Sequence, residues 1–215
     1  SYSSSSSSTK GATGGYSTAM GANTTASGAS STAMGQGTTA SGQNSTATGY
    51  GTTASGSRST ATGYSTTASG YASTAMGQET TASATYSTAT GYSTEANGIA
   101  SFSMGKETEA SDFGSLVIGT YNSVGNAVTT NGSASAFDVD NSAFVIGNGA
   151  SGALSDALVV YSSGNATLGG ALTVATTIGH TADTDLMTLA NGSVTFTGST
   201  VIATADVNGG AIDAA

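Results

Sequence analysis

The chain has 215 residues, with 32 glycines and no proline, cysteine or tryptophan, and its 3 basic and 12 acidic residues give a formal net charge of −9. Nucleic acids and anionic membrane surfaces both attract basic stripes, so a chain whose basic residues are only Lys10, Arg58 and Lys106 is not expected to bind either. No run of about 18 apolar residues occurs, so this segment is not expected to insert into a membrane as a helix.

The two ends of the chain differ from its middle. Residues 1–16 are rich in serine and are predicted to be a lead-in to the ordered part. No signal peptide begins at Ser1, and the last residues, GGAIDAA, contain no obvious stop. We therefore expect the sequence to be an interior fragment of a longer chain.

A unit of fourteen residues repeats over residues 17–128. STAMGANTTASGAS, residues 17–30, is followed directly by STAMGQGTTASGQN, residues 31–44. With Ser17 as position one, glycine is usual at position twelve, where Asp112 also suits a left-handed turn but Ala84 does not. Position five is glycine in all eight units, and these residues are predicted to be turn glycines: Gly21, Gly35, Gly49, Gly63, Gly77, Gly91, Gly105 and Gly119.

Composition and period together select among three kinds of structure. A disordered chain usually carries more charge and more proline, and it needs no period. A coiled coil is excluded because a glycine in every heptad costs about 1 kcal/mol of helix propensity each time and because no apolar a/d seam exists. Short β-rich stretches separated by Gly-x-x turns instead predict an all-β parallel solenoid with two strands per coil.

Alternation along each strand predicts which side chains point into the coil. Glu95 and Glu109 occupy position nine and need water, so positions eight and ten, such as Thr24 and Ala26, are predicted to point inward. Positions one and three of the other strand point inward by the same argument. The predicted core is therefore a thin stack of Ser, Ala and Thr.

The outward face of the first strand carries an apolar stripe. Four of the 5 methionines occupy position four, and larger apolar residues join them toward the C-terminus. An exposed apolar stripe favours a partner, and a thin core buries too little surface to offset chain entropy comfortably. We therefore expect this face to pack against other copies of the chain, through Met20, Met34, Met76, Met104, Ile118, Phe102, Leu116, Phe144, Ile146, Leu158 and Val160.

The strands STAMG, STATG, SFSMG and SLVIG, each alternating with segments such as TTASG, resemble the head domain of trimeric autotransporter adhesins, the YadA-like head family. The similarity covers about residues 12–128. It implies a left-handed parallel β-roll with 14-residue coils, assembled as a parallel homotrimer. The handedness and the number of chains are implied by the resemblance alone.

The fourteen-residue register continues past residue 128, with AFVIG, ALVVY and ALTVA beginning at Ala143, Ala157 and Ala171. Residues 129–170 are predicted to form an irregular coil and a neck-like β segment, and residues 171–215 a fibrous β stalk. Residues 141–174 are similar to segments in head and neck regions of trimeric surface proteins and phage tail fibres. The tail from Thr188 resembles repeats in phage fibre proteins.

The sequence offers little chemistry. His180 is its one histidine and cysteine is absent, so no catalytic residue and no cofactor is predicted. Asp138, Asp140 and Asn141 are candidates for Ca²⁺ because oxygen ligands recur close together, although the full EF-hand loop is missing. The alternative for these three residues is that they are solvated turn residues.

Aromatic residues are the candidates for recognition. Tyr50, Tyr64 and Tyr92 share position six, where they would either contact a host surface or stack on one another. We expect a non-enzymatic, trimeric, extracellular fibre segment that extends from a virion as a tail fibre and supports attachment to a host-surface glycan or protein. The alternatives are the head of a bacterial trimeric autotransporter adhesin on the cell surface and, from the flat threonine array, an ice-binding or matrix-forming solenoid.

Overall fold

The computed structural model describes residues 10–123 and 132–170. These residues belong to the first of two units, Ser1–Leu172, and the second unit, Thr173–Ala215, lies outside the described residues. The predicted stalk at residues 171–215 and His180 therefore also lie outside them. The described residues contain strands and turns but no helix, as the sequence predicts.

Each fourteen-residue unit forms one coil of a parallel β-solenoid, which confirms the predicted fold class. The first strand of each coil has five residues, and these strands build what we call the long-strand sheet: β2 (Thr18–Ala22), β4 (Thr32–Gln36), β6 (Thr46–Tyr50), β8 (Thr60–Tyr64), β10 (Thr74–Gln78), β12 (Thr88–Tyr92), β14 (Phe102–Lys106) and β16 (Leu116–Thr120). Neighbours pair in parallel and in the repeat register, as in Thr32↔Thr46.

The second strand of each coil has two residues, shorter than the five-residue stretch that the sequence predicts. These strands build the short-strand sheet: β1 (Gly11–Ala12), β3 (Thr25–Ala26), β5 (Thr39–Ala40), β7 (Thr53–Ala54), β9 (Thr67–Ala68), β11 (Thr81–Ala82), β13 (Glu95–Ala96) and β15 (Glu109–Ala110). Because β1 pairs with β3, the paired structure begins at Gly11, inside the range expected as a lead-in.

The position-five glycines lie inside the long strands and not in turns, which corrects the expectation from sequence. Their φ angles run from 110° to 131°, a region that favours glycine. A Cβ on Gly63 would lie 1.9 Å from the carbonyl oxygen of Gly77 in the next coil. Glycine is thus required at position five by the backbone angle and by the closeness of the neighbouring coil.

The turns of the coil are made by positions seven and fourteen, which the sequence analysis did not select. Asn23, Glu79 and Arg58 illustrate the pattern, with φ of 58°, 57° and 61°. Position twelve has no left-handed residue in the coils that the structure describes, so the turn argument for Asp112 was wrong and Ala84 needs no unusual angle. Glycine at position twelve is explained by space instead, since a Cβ on Gly42 would lie 2.0 Å from the carbonyl oxygen of Gly56.

The core is a stack of small side chains, as predicted. Alanines at positions three and ten are buried, from Ala19 at 1% exposed to Ala96 at 0%. In most coils the Ser at position one closes the turn before it, as Ser45 Oγ does by donating to the carbonyl oxygen of Gly42 at 2.7 Å, whereas the hydroxyls of Ser31 and Ser101 have no partner. The alanine stack gives way to Val117 and Val145 at the C-terminal end.

Three more strands end the long-strand sheet: β17 (Ser142–Asn148), β18 (Asp156–Tyr161) and β19 (Ala166–Leu168). Strand β17 pairs in parallel with β16, in the repeat register, with Leu116 opposite Phe144. Strands β18 and β19 are antiparallel, so ALVVY does not begin a further coil although it keeps the fourteen-residue spacing. Within the described residues, β17 is the last strand of the parallel stack.

Candidate interaction surfaces

The outward face of the long-strand sheet carries two parallel ladders of side chains. Position four forms one ladder, in which Met20 is opposite Met34 and Met104 is opposite Ile118. The same ladder continues with Ile146 opposite Leu158. All the side chains point away from the buried alanines, because position three between the ladders points inward.

Position two forms the second ladder beside the first. It is threonine in the early coils and becomes apolar at Phe102, which lies opposite Leu116. The ladder then continues through Phe144 and Val160. Every residue that the sequence analysis assigned to an interface between copies therefore lies on one face of one sheet.

Nothing in residues 10–123 and 132–170 covers this face. The side chains of Met20, Met34, Met76, Met104 and Leu116 are exposed by 53%, 36%, 42%, 44% and 38%. Threonine interrupts the methionine ladder in three coils, whereas strands β14, β16, β17 and β18 carry apolar residues in both ladders. The apolar surface is therefore widest near the C-terminal end of the roll.

The outward face of the short-strand sheet is polar. Threonines at position nine lie side by side in register, as in Thr39 opposite Thr53, until Glu95 and Glu109 replace them. Asn97 links the two carboxylates, because its Nδ2 donates to Glu95 at 3.1 Å and to Glu109 at 3.0 Å. Ser111 Oγ also donates to Glu109, at 2.7 Å.

Burial raises the pKa of the Glu109 carboxyl above its usual value. Hydrogen bonds from Ser111 and Asn97 oppose this rise, and the negative charge of Glu95 adds to it. The proton is therefore held more tightly in the folded chain than in the unfolded chain. No group of three or more metal-binding acidic, histidine or cysteine side chains is found among residues 10–123 and 132–170.

The tyrosines at position six lie at the C-terminal ends of the long strands, along one side of the long-strand sheet. The rings of Tyr50 and Tyr64 stack, with their centroids 5.2 Å apart and an angle of 5° between their planes. Stacking was one of the two roles that the sequence left open for these residues, the other being recognition. About half of each side chain remains exposed, at 49% and 48%. Tyr92 is 39% exposed and faces the ammonium group of Lys106, 5.7 Å from its ring centroid.

Two of the three basic side chains are held by tyrosine rings. Lys106 also faces Tyr121, at 5.4 Å from the ring centroid. Arg58 lies 5.4 Å from the ring centroid of Tyr71, and its guanidinium donates to the Tyr71 hydroxyl. Tyr71 in turn meets Tyr86 edge to face. These contacts attach the long side chains to the edges of the coils.

The calcium candidates serve as loop residues in this structure. Asp138 accepts from the backbone N–H of Asp140 at 3.0 Å. The buried Asn141 accepts from the N–H of Ser133 at 2.6 Å and donates to the carbonyl oxygen of Ala136 at 3.1 Å. A side chain committed to two backbone groups is poorly placed as a metal ligand, so the turn alternative accounts better for these residues.

Sequence reasoning missed a set of buried polar residues where the repeat ends. Asn122 replaces the usual threonine at position eight, and Asp112 replaces glycine at position twelve. Asp112 and Asn122 are both 0% exposed. Asp112 accepts from the N–H and the hydroxyl of Ser142, at 2.8 and 2.6 Å, and so joins the last turn to β17. Departure from the repeat consensus was the signal available in the sequence.

Comparisons with known proteins agree with the repeat. Three segments, residues 12–38, 40–66 and 68–94, each match the family model described as the YadA head domain repeat (2 copies). No curated protein matches the chain. No helix long and apolar enough to span a membrane occurs in the part of the chain that the structure describes.

Proposed function

We propose that this chain is a segment of a trimeric, extracellular fibre whose role is to extend from a surface and support attachment. Its YadA-like head repeats, at residues 12–94, favour the head of a bacterial adhesin over the virion tail fibre that we expected first. The roll supplies length and rigidity, because each coil contacts mainly its neighbours in a continuous stack. No step of bond making or breaking is part of this role.

One observation carries the proposal, namely the apolar double ladder on the outward face of the long-strand sheet. Large apolar patches on single chains usually mark sites of association. The core of this roll is made of alanine, serine and threonine, so burying the ladders would add the large apolar contacts that the interior lacks. Three copies around an axis parallel to the roll would bury the ladders together.

Charge on the apolar face tests this assembly. A Met34→Asp, Met76→Asp double variant should fail to assemble, because both carboxylates would be taken out of water at the interface. The matched control is Thr39→Asp with Thr67→Asp, which puts two carboxylates on non-adjacent strands of the outward face of the short-strand sheet and should leave the assembly intact. Equal sedimentation of both double variants would remove the argument for this interface.

Attachment itself is assigned to the exposed edge at Tyr50, Tyr64 and Tyr92, with a host-surface glycan or protein as the partner. These side chains are 39–49% exposed and stand in neighbouring or near coils. Stacking of Tyr50 on Tyr64 leaves ring edges and hydroxyl groups for contact. Binding of the assembled chain to host cells should fall when the three are changed to serine, whereas unchanged binding would place recognition elsewhere.

A virion tail fibre is the second candidate. It is favoured by the resemblance of residues 141–174 and of the tail from Thr188 to fibre segments, although the family match stops at residue 94. Peptide sequencing of the parent chain beyond Ala215 separates the two origins. Heptads and a membrane anchor would identify a bacterial adhesin, whereas further glycine-punctuated β repeats leading to a fibre tip would identify a virion fibre.

A further inference from the structure

Asn122 follows β15, the last strand of the short-strand sheet among the described residues. In each coil before it, position eight is threonine, and its carbonyl oxygen accepts the N–H of position nine in the preceding coil. Glu95 N–H, for example, donates to the carbonyl oxygen of Thr108 at 2.8 Å. Strand β15 is the last strand of that sheet among the described residues, so no further strand there pairs with Glu109.

The side chain of Asn122 makes the hydrogen bonds to β15 that a neighbouring strand makes in the earlier coils. Its Oδ1 accepts the N–H of Glu109 at 2.8 Å, the length of the Glu95 bond in the preceding coil. Its Nδ2 donates to the carbonyl oxygen of the same residue, Glu109, at 3.0 Å. A carboxamide has the donor and the acceptor of a peptide group, so one side chain satisfies both outward backbone groups of Glu109.

Burial makes this contact consequential. Asn122 is 0% exposed, so its amide is withdrawn from bulk water. An unpaired backbone group at a buried position is costly, and an uncapped strand edge invites further pairing. Threonine has one hydroxyl and no amide, so the consensus residue at this position does not reproduce both hydrogen bonds.

We propose that Asn122 is a built-in cap that ends the short-strand sheet at β15. The repeat changes from Thr to Asn at position eight at the coil where its strand pairing ends. Asp112 and Asn141 assist from the adjoining turn and loop, where they bind the backbone of Ser142 and Ser133. This role is independent of the attachment function and of the number of chains in the fibre.

The consensus substitution Asn122→Thr distinguishes a cap from an ordinary repeat position. If position eight simply prefers threonine, the variant should be as stable as the wild type or more stable. The cap predicts a lower midpoint of denaturant unfolding and exchange of the Glu109 amide proton about tenfold faster or more, since two hydrogen bonds are lost. Asn165→Ala, an exposed asparagine outside the roll, is the control and should change neither quantity.

The reciprocal change and the native chain complete the test. Thr66→Asn, at the same repeat position inside the roll, should destabilise the fold, because the strand there already pairs with a neighbouring strand and leaves no backbone group for the amide to bind. Should Asn122→Thr fail to fold, amide exchange of the wild-type chain decides the matter. A Glu109 amide that exchanges as slowly as that of Glu95 supports the cap, whereas one that exchanges at the rate of an unprotected amide overturns it.

Discussion

At the scale of the residue, two repeat positions are set by different physics. Position five needs glycine because of its backbone angle and because the next coil is in contact. Position eight holds buried threonines, and the hydroxyls of Thr38, Thr52, Thr66, Thr80 and Thr94 have no hydrogen-bond partner in the structure. Glycine therefore repeats at position five because the fold requires it, whereas the hydroxyl of the repeated threonine at position eight is not required by any hydrogen bond.

Glycine at position five can be tested by adding one methyl group. Gly63→Ala should lower the free energy of unfolding by at least about 3 kcal/mol, since it combines a strained φ with a clash against Gly77. Gly15→Ala meets nothing within 4 Å and should change stability by less than about 0.5 kcal/mol. Urea unfolding measures both, and similar losses would contradict the close packing of coils.

The buried hydroxyls give a prediction of the opposite sign. Thr66→Val should leave stability unchanged or raise it by about 1 kcal/mol, because it replaces an unpaired buried hydroxyl by a methyl group of similar size. Thr108 is the matched control, because its hydroxyl lies 2.9 Å from Ser103 Oγ. Thr108→Val should destabilise by about 1 kcal/mol in the same unfolding assay. A loss at Thr66 as large as that at Thr108 would show that the hydroxyl has a partner.

At the scale of the element, alternation and period were sufficient to predict the roll, but local geometry was not. The alternation of side chains along a strand predicts that the alanines point inward and the methionines outward, and this prediction does not depend on the geometry of the turns. The left-handed turn positions could not be found, because residues as different as Asn23, Arg58 and Glu79 occupy them. Likewise, ALVVY has the repeat spacing, and only its pairing shows that β18 is antiparallel.

Glu109 makes the end of the short-strand sheet sensitive to pH. Its pKa is raised by burial, so the folded chain binds the proton more tightly than the unfolded chain, and stability falls as pH rises through the folded pKa. Glu109→Gln, which keeps an acceptor for Ser111, should therefore raise stability at pH 7 relative to wild type. This advantage should shrink toward about pH 4, where the wild-type carboxyl is increasingly protonated. An advantage that does not vary with pH in denaturant unfolding would contradict the assigned cause.

At the scale of the whole molecule, the roll combines a thin interior with a broad apolar exterior. Alanine stacks hold the coils in register, while the larger apolar side chains lie outside on the long-strand sheet. The residues proposed for the interface could be chosen from the sequence because their periodicity is that of the strands. Asp112 and Asn122 could be noticed as departures from the repeat consensus, but their contacts could not be predicted, since these depend on what lies beside each residue in space.

The central claim is that these chains pack through the apolar ladders as a trimer. Sedimentation equilibrium of the unmodified chain tests it most directly. A trimer should sediment as a single species of about three times the 20.4 kDa chain mass, stable over micromolar concentrations. A species of one chain mass at every concentration, with the apolar face exposed to solvent, would contradict it.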